Sequence, residues 1–237
     1  MTNRALELML ALAALPVAGQ SRADLEGIWQ AHSTAAFDLQ DHAAALGIPA
    51  GRSVVVDPPD GKIPYQPAAL AKKKENFENR ASADPLGKCY MPGVPRLTLL
   101  DFPFQIFQTP KYVEILYEYI HMARTIYLDP SESKHLEGVD FWNGDSRGHW
   151  EGDTLVVDVA DFNDQTWLDA AGDYHSDALH VVERYTRTGP DTLRYEATIE
   201  DPKVFTKPWK ISIALDRHTE PNFRLLEYEC YAYAEGK

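Results

Sequence analysis

From position 96 onward, apolar and polar residues alternate in short runs, the period of two expected of strands with one buried face. The pattern predicts strands at 96–100, 104–108, 112–120, 124–128, 154–159, 179–186, 192–200, 210–215 and 224–231. Thr188-Gly189-Pro190-Asp191 has turn chemistry and makes 179–200 a hairpin. Upstream, 24–30 reads as a short strand. Segments 53–57 and 62–65 flank the turn Pro58-Pro59-Asp60-Gly61, where Gly61 can take a positive φ and Pro64 marks a sheet edge. Only 67–80 breaks the alternation at length. It holds good helix formers, Pro67 at the first turn, and Ala, Leu and Phe77 on one side. Many strands, short turns and one helix predict a mainly β protein: an antiparallel, calycin-like barrel or strongly curved sheet of about eight to ten strands with one external helix.

The chain's 237 residues, 44% hydrophobic and 11% aromatic, suffice for one domain over 21–237. A formal net charge of -13, with Lys72-Lys73-Lys74 as the only basic run, argues against nucleic acid as a partner, because phosphate neutralisation needs clustered cations. Arg4, an apolar run at 8–18, and Gly19-Gln20-Ser21 have the layout of a signal peptide over 1–20; an ordered N-terminal helix is the alternative. That run is too short to span roughly 30 Å of hydrocarbon, and no Cys follows to carry a lipid, so no stable membrane anchor is expected. The address expected is periplasmic or secreted. There, Cys89 and Cys230 favour a disulfide over two separate buried thiols.

Gly27-Ile28-Trp29 resembles the opening of lipocalins and other calycin barrels, in which the Trp closes the base of the barrel beneath a basic side chain from late in the chain. The resemblance gives that part to Arg224; otherwise Trp29 is an ordinary core residue. Four further stretches, at 56–65, 120–124, 144–157 and 180–187, together resemble a large family of exported bacterial proteins, most of them described as hypothetical. The likeness spans about 53–210 and implies export and a single domain. It implies no activity and no site residue.

Strand parity supplies the candidate chemistry. In 112–121, Val113, Ile115, Tyr117, Tyr119 and His121 share the apolar face, and in 179–186 Leu179, Val181, Glu183 and Tyr185 do. A buried carboxylate needs a partner, and His121 or Arg124 could supply it. An inward His121 and Glu183 would suit general acid/base catalysis, with Arg124 and Tyr119 orienting charge. A structural ion pair is the plainer reading. Between the strands at 154–162 and 179–186 lies an Asp-rich connector with Trp167, Tyr174 and His175, read as a loop over a pocket mouth. Tyr117, Tyr119, Tyr185, Trp167, His175, His180 and Arg147 are the expected binding residues. Asp145 and Arg147 are read as a turn with an internal salt bridge, and Ser146 between them resembles a nucleophile elbow only superficially, since a strand follows it. His175, His180 and Glu183 have metal-ligand chemistry, but His180 and Glu183 point to opposite faces of a strand, so no metal and no cofactor is expected. The sequence therefore points to a cofactor-independent lyase, isomerase or hydratase acting on a small apolar or aromatic molecule, or to a non-catalytic binding barrel. Oligomeric state is left open.

Overall fold

The alternating pattern builds two meanders. In the computed structural model, which describes residues 23–46, 48–132, 134–136 and 138–234, the first comprises β3 (Phe104–Gln108), β4 (Tyr112–Tyr117) and β5 (Ala123–Tyr127). The second comprises β6 (Asp145–Glu151), β7 (Thr154–Ala160), β8 (His180–Gly189), β9 (Thr192–Glu200) and β10 (Trp209–Arg217). The expected signal segment lies outside the described residues. β1 (Gly27–Ala31) pairs with β3 on one edge and β10 on the other, closing the two meanders into a nine-stranded barrel. An extra strand, β2 (Val55–Asp57), takes the remaining length of the same β10 edge.

The barrel is mixed, where a purely antiparallel one was expected. β5 and β6 meet in parallel through a single residue pair, Tyr127↔Arg147. Parallel neighbours cannot be joined by a tight hairpin, so the chain crosses over through 128–144. β6 itself went unpredicted because its start, Gly144 to Gly148, carries turn-like residues. Close approach at the seam requires one of those glycines: a Cβ on Gly148 would sit 2.7 Å from Ile126 Cγ2 and 2.9 Å from Leu128 Cδ2.

Two expected strands do not form. Arg96–Leu99 forms the short helix α2, all four side chains buried, so no single face could alternate. Arg96 there is clamped by both oxygens of Asp84 at 2.7 Å. The segment 224–231 contributes only an isolated bridge, Tyr119↔Tyr228, and runs into α3 (Cys230–Ala234). Cys89 and Cys230 form the expected disulfide, which closes a span of 141 residues. The chain-entropy model assigns a loop of that length about 5 kcal/mol at most. The expected helix is α1 (Leu70–Ala83), three residues later than predicted, and its buried contact is Asn76, not Phe77, which is exposed.

Alternate residues on the strands fill the lumen: Phe104, Ile106, Val113, Ile115, Ile126, Val157, Val181 and Leu215 are essentially inaccessible. A barrel of this size has an interior just wide enough for its own side chains. Trp29 closes one end. The basic groups over its ring are Arg217 at 5.8 Å and Arg187 at 5.9 Å, whereas Arg224, the residue expected there, is exposed. Register decides this, since Trp29 pairs directly with Arg217. Gly27, at φ +144, leaves room for the guanidinium; a Cβ would lie 2.8 Å from Arg217 Nε.

Candidate functional site

Parity places Glu183 inside the lumen as expected, opposite the small Ala197 and beside Val157. Its carboxylate is fully buried and takes four donors. Arg124 donates through Nη1 at 3.2 Å and through Nη2, Tyr185 OH donates at 3.1 Å and Tyr195 OH at 2.9 Å. Burial works against the Arg124 charge, but the Glu183 charge and hydrogen bond, together with Tyr185 and Tyr117, outweigh it and hold the guanidinium well above its ordinary pKa. Burial, then the Glu183 charge, pushes Tyr185 and Tyr195 well up, so both stay as donors. Tyr117 also lines this interior, its pKa raised by burial. Both oxygens of the Glu183 carboxylate are thus held by donors, one of them by Arg124 and two tyrosines.

Arg124 also reaches the barrel wall. Its Nε donates to Ser146 Oγ at 3.0 Å across the β5–β6 seam. The two strands diverge from the Tyr127↔Arg147 pair toward their starts, and there a cleft of about 390 Å³ opens. Ala123, Arg124 and Thr125 form one side and Gly144, Asp145 and Ser146 the other. The crossover roofs it with Leu136, Asp140, Phe141 and Trp142, and Met91 enters from the segment beside Cys89. Met91 and Trp142 are shared with a second cleft of about 420 Å³, lined by Tyr90, Ile120, Glu229, Tyr231 and the disulfide.

The expected catalytic pair is not assembled. β4 ends at Tyr117, and the chain turns through Ile120 and His121 at φ +48 and +51, so strand parity cannot be extended to His121. The imidazole is instead exposed at the turn, with Nε2 3.0 Å from Glu229 Oε1. Tyr119 is buried outside the lumen, against Phe102, Tyr228 and Cys230. Arg124, Tyr117 and Tyr185 do gather around Glu183, as parity indicated.

The Asp-rich connector is not a lid. It is a buried bracket between the barrel and α1: Lys73 Nζ meets Asp173 Oδ2 at 2.9 Å, Tyr65 OH donates to Asp173 Oδ1 at 2.8 Å, and Tyr174 OH donates to the Ala69 carbonyl. Asp169 accepts from the backbone N–H groups of Leu39 and Asp173. Trp167 bridges Tyr174 within the connector. His175 is buried, with Nδ1 donating to the Ser176 carbonyl at 2.9 Å, so Nε2 accepts from Thr166 Oγ1 at 2.7 Å. Burial depresses its pKa and keeps it neutral. Neither Trp167 nor His175 reaches the seam cleft.

On the outer face of the barrel lies a cluster that strand patterns did not reveal. His135, in the crossover, sets Nδ1 3.1 Å from Asp145 Oδ2 and Nε2 2.7 Å from Asp158 Oδ1. His180, outward on β8, shares Asp158 from the other side at 3.1 Å. Hydrogen bonding from His180 first, and His135 next, holds the Asp158 carboxyl down at about 2, and Asp158 in turn raises His180. Arg147 makes the expected salt bridge with Asp145 at 2.8 Å, donates to the Glu132 carbonyl and lies over the Tyr127 ring. Its donors are thus committed to holding the crossover down. Tyr195 could have been found by extending parity to the facing strand. His135 sits in an irregular stretch whose sequence carries no positional signal. No family model, curated protein or solved structure matches this chain.

Proposed function

We propose that the protein is a binding barrel for a small, largely apolar or aromatic molecule, and that the molecule sits in the seam cleft, outside the filled lumen. The observation that carries this reading is the pairing of an aromatic and thioether wall, Tyr127, Phe141, Trp142 and Met91, with a polar floor at Ser146 and Arg124. Ser146 Oγ already accepts from Arg124, which leaves its hydrogen to donate to an acceptor on the ligand. A mostly apolar wall with a few placed polar groups is the usual make-up of a small-molecule site. The disulfide fits an oxidising compartment, and export to the periplasm or beyond belongs to the same proposal. Among the described residues no helix is long and apolar enough to cross a membrane.

The acid/base enzyme remains a second reading, favoured by one contact: His121 and Glu229 form a pair at the edge of the adjoining cleft, which Glu229 itself lines. Calorimetric titration with cinnamate, p-cresol and indole, each incubation then read by mass spectrometry, separates the two. Saturable binding of one of these probes, weakened about tenfold or more by Trp142→Ala and unaccompanied by conversion, is the expected result. Conversion abolished by His121→Ala would transfer the assignment to the enzyme. Binding unaffected by Trp142→Ala would remove the seam cleft from consideration.

A further inference from the structure

We infer that His135, Asp145 and Asp161 form a binding site for a divalent first-row transition metal ion, at the point where the crossover passes over the open end of the β6–β7 hairpin. One ring nitrogen of His135 and one carboxylate oxygen from each aspartate lie within 4.8 Å of one another. The hairpin fixes the two carboxylates. Asp145 opens β6 opposite Ala160, and Asp161 follows at once, its backbone turned to φ +57 and its carbonyl accepting from Phe141 N at 2.8 Å.

Three further observations point to a cation. Asp161 Oδ2 is buried and has no hydrogen-bond partner. A buried anionic oxygen without a donor is costly unless something positive faces it. Next, the 3.1 Å from His135 Nδ1 to Asp145 Oδ2 is close to the separation of about 3.3 Å between two ligands each about 2.0–2.1 Å from a tetrahedral ion. The pair can therefore take an ion in place of the shared proton with little movement. Last, His135 Nε2 is held by Asp158 at 2.7 Å, the arrangement in which a carboxylate orients a ligating imidazole and strengthens it as a donor.

Charge agrees. Asp145 and Asp158 both lie against the His135 ring, Asp161 offers a third carboxylate, and the Arg147 guanidinium pairs with Asp145. One imidazole and two carboxylates suit zinc or a neighbouring transition metal better than the all-oxygen sets preferred by calcium and magnesium. The other acidic cluster, Asp38, Asp169 and Asp173, lacks an imidazole and already holds the Lys73 ammonium. Bound metal would tie the crossover, through His135, to the strands beneath it.

The test uses the chelator-treated full chain, titrated calorimetrically with Zn²⁺, with Mg²⁺ as comparison. One saturable site for Zn²⁺ is expected, with Mg²⁺ far weaker. Asp161→Asn, which preserves shape, and His135→Gln should each lower the affinity by at least tenfold, while the exposed His149→Gln leaves it unchanged. Asp158→Asn should lower it about 10- to 100-fold, as loss of an orienting partner does. The melting temperature of each metal-free variant verifies its fold, and Co²⁺ absorption of the wild-type chain reads the coordination without any substitution. Absence of a one-to-one site, or equal affinity in wild type, Asp161→Asn and His135→Gln, would overturn the inference.

Discussion

Two buried polar groups, one inside the barrel and one under α1, solve the same problem differently. In the lumen, one carboxylate meets one guanidinium and two phenols, and charge and hydrogen bonding both balance. In the connector bracket, Asp38, Asp169 and Asp173 converge on the single Lys73 ammonium. Burial, reinforced by the neighbouring Asp173, raises the Asp169 carboxyl well above its ordinary pKa, and burial raises Asp38 too, which favours the protonated form there. The bracket thus carries a pH dependence of its own. Burial of charge in itself sets no pH dependence; the local ratio of anions to cations does.

The sharpest way to break this contrast is to remove one partner from the balanced group. Glu183→Gln leaves Arg124 without its counter-charge in the lumen and should cost about 3–5 kcal/mol in urea unfolding. The double variant Arg124→Met/Glu183→Leu should cost much less than the sum of its single changes, and full additivity would show the pair to be uncoupled. In the bracket, Lys73→Met removes the only ammonium and should cost about 3 kcal/mol at neutral pH, the low end because Lys73 is partly exposed. That loss should shrink toward pH 4, as the aspartates take up protons.

Asp169→Asn tests the protonation directly. A carboxyl whose folded pKa is raised contributes stability that is fully present below its unfolded value, near 3.9, and is lost as pH rises through the folded value. Wild-type stability should fall between pH 4 and 7 by more than that of Asp169→Asn, measured as the urea midpoint; parallel profiles would contradict the assignment. The smallest effect is expected at the half-exposed His180. Its raised pKa means the Asp158 contact stabilises below about pH 6.5 and fades as pH rises through the folded value. His180→Ala should therefore cost less than about 1 kcal/mol at pH 6, and less still at pH 9.

Legibility in the sequence followed local geometry. β3 and β9 lie where alternation put them, Glu183 and Tyr185 face inward because they sit within the regular β8, and Tyr117 does so as the last residue of β4. The same rule failed for His121, four residues beyond the end of β4, where left-handed backbone resets the direction of the side chain. It failed again for 96–100, whose apolar residues are buried all round in a helical turn. The acidic connector looked too polar to be buried, because its neutralising groups, Lys73 and the Leu39 N–H, are remote in sequence. The seam cleft and the His135 cluster both depend on which strand β6 lies beside, and local pattern does not encode that.

The single bridge between β5 and β6 also has a kinetic meaning. Each meander pairs strands consecutive in sequence, and even the long 161–179 connection between β7 and β8 is rewarded by a ladder of six residue pairs, whereas joining the meanders at the seam requires ordering the 128–144 crossover for one pair. Closure of the barrel at this seam is accordingly a late event in folding. Substitutions there, such as Gly148→Ala, will accelerate unfolding and leave the folding rate nearly unchanged.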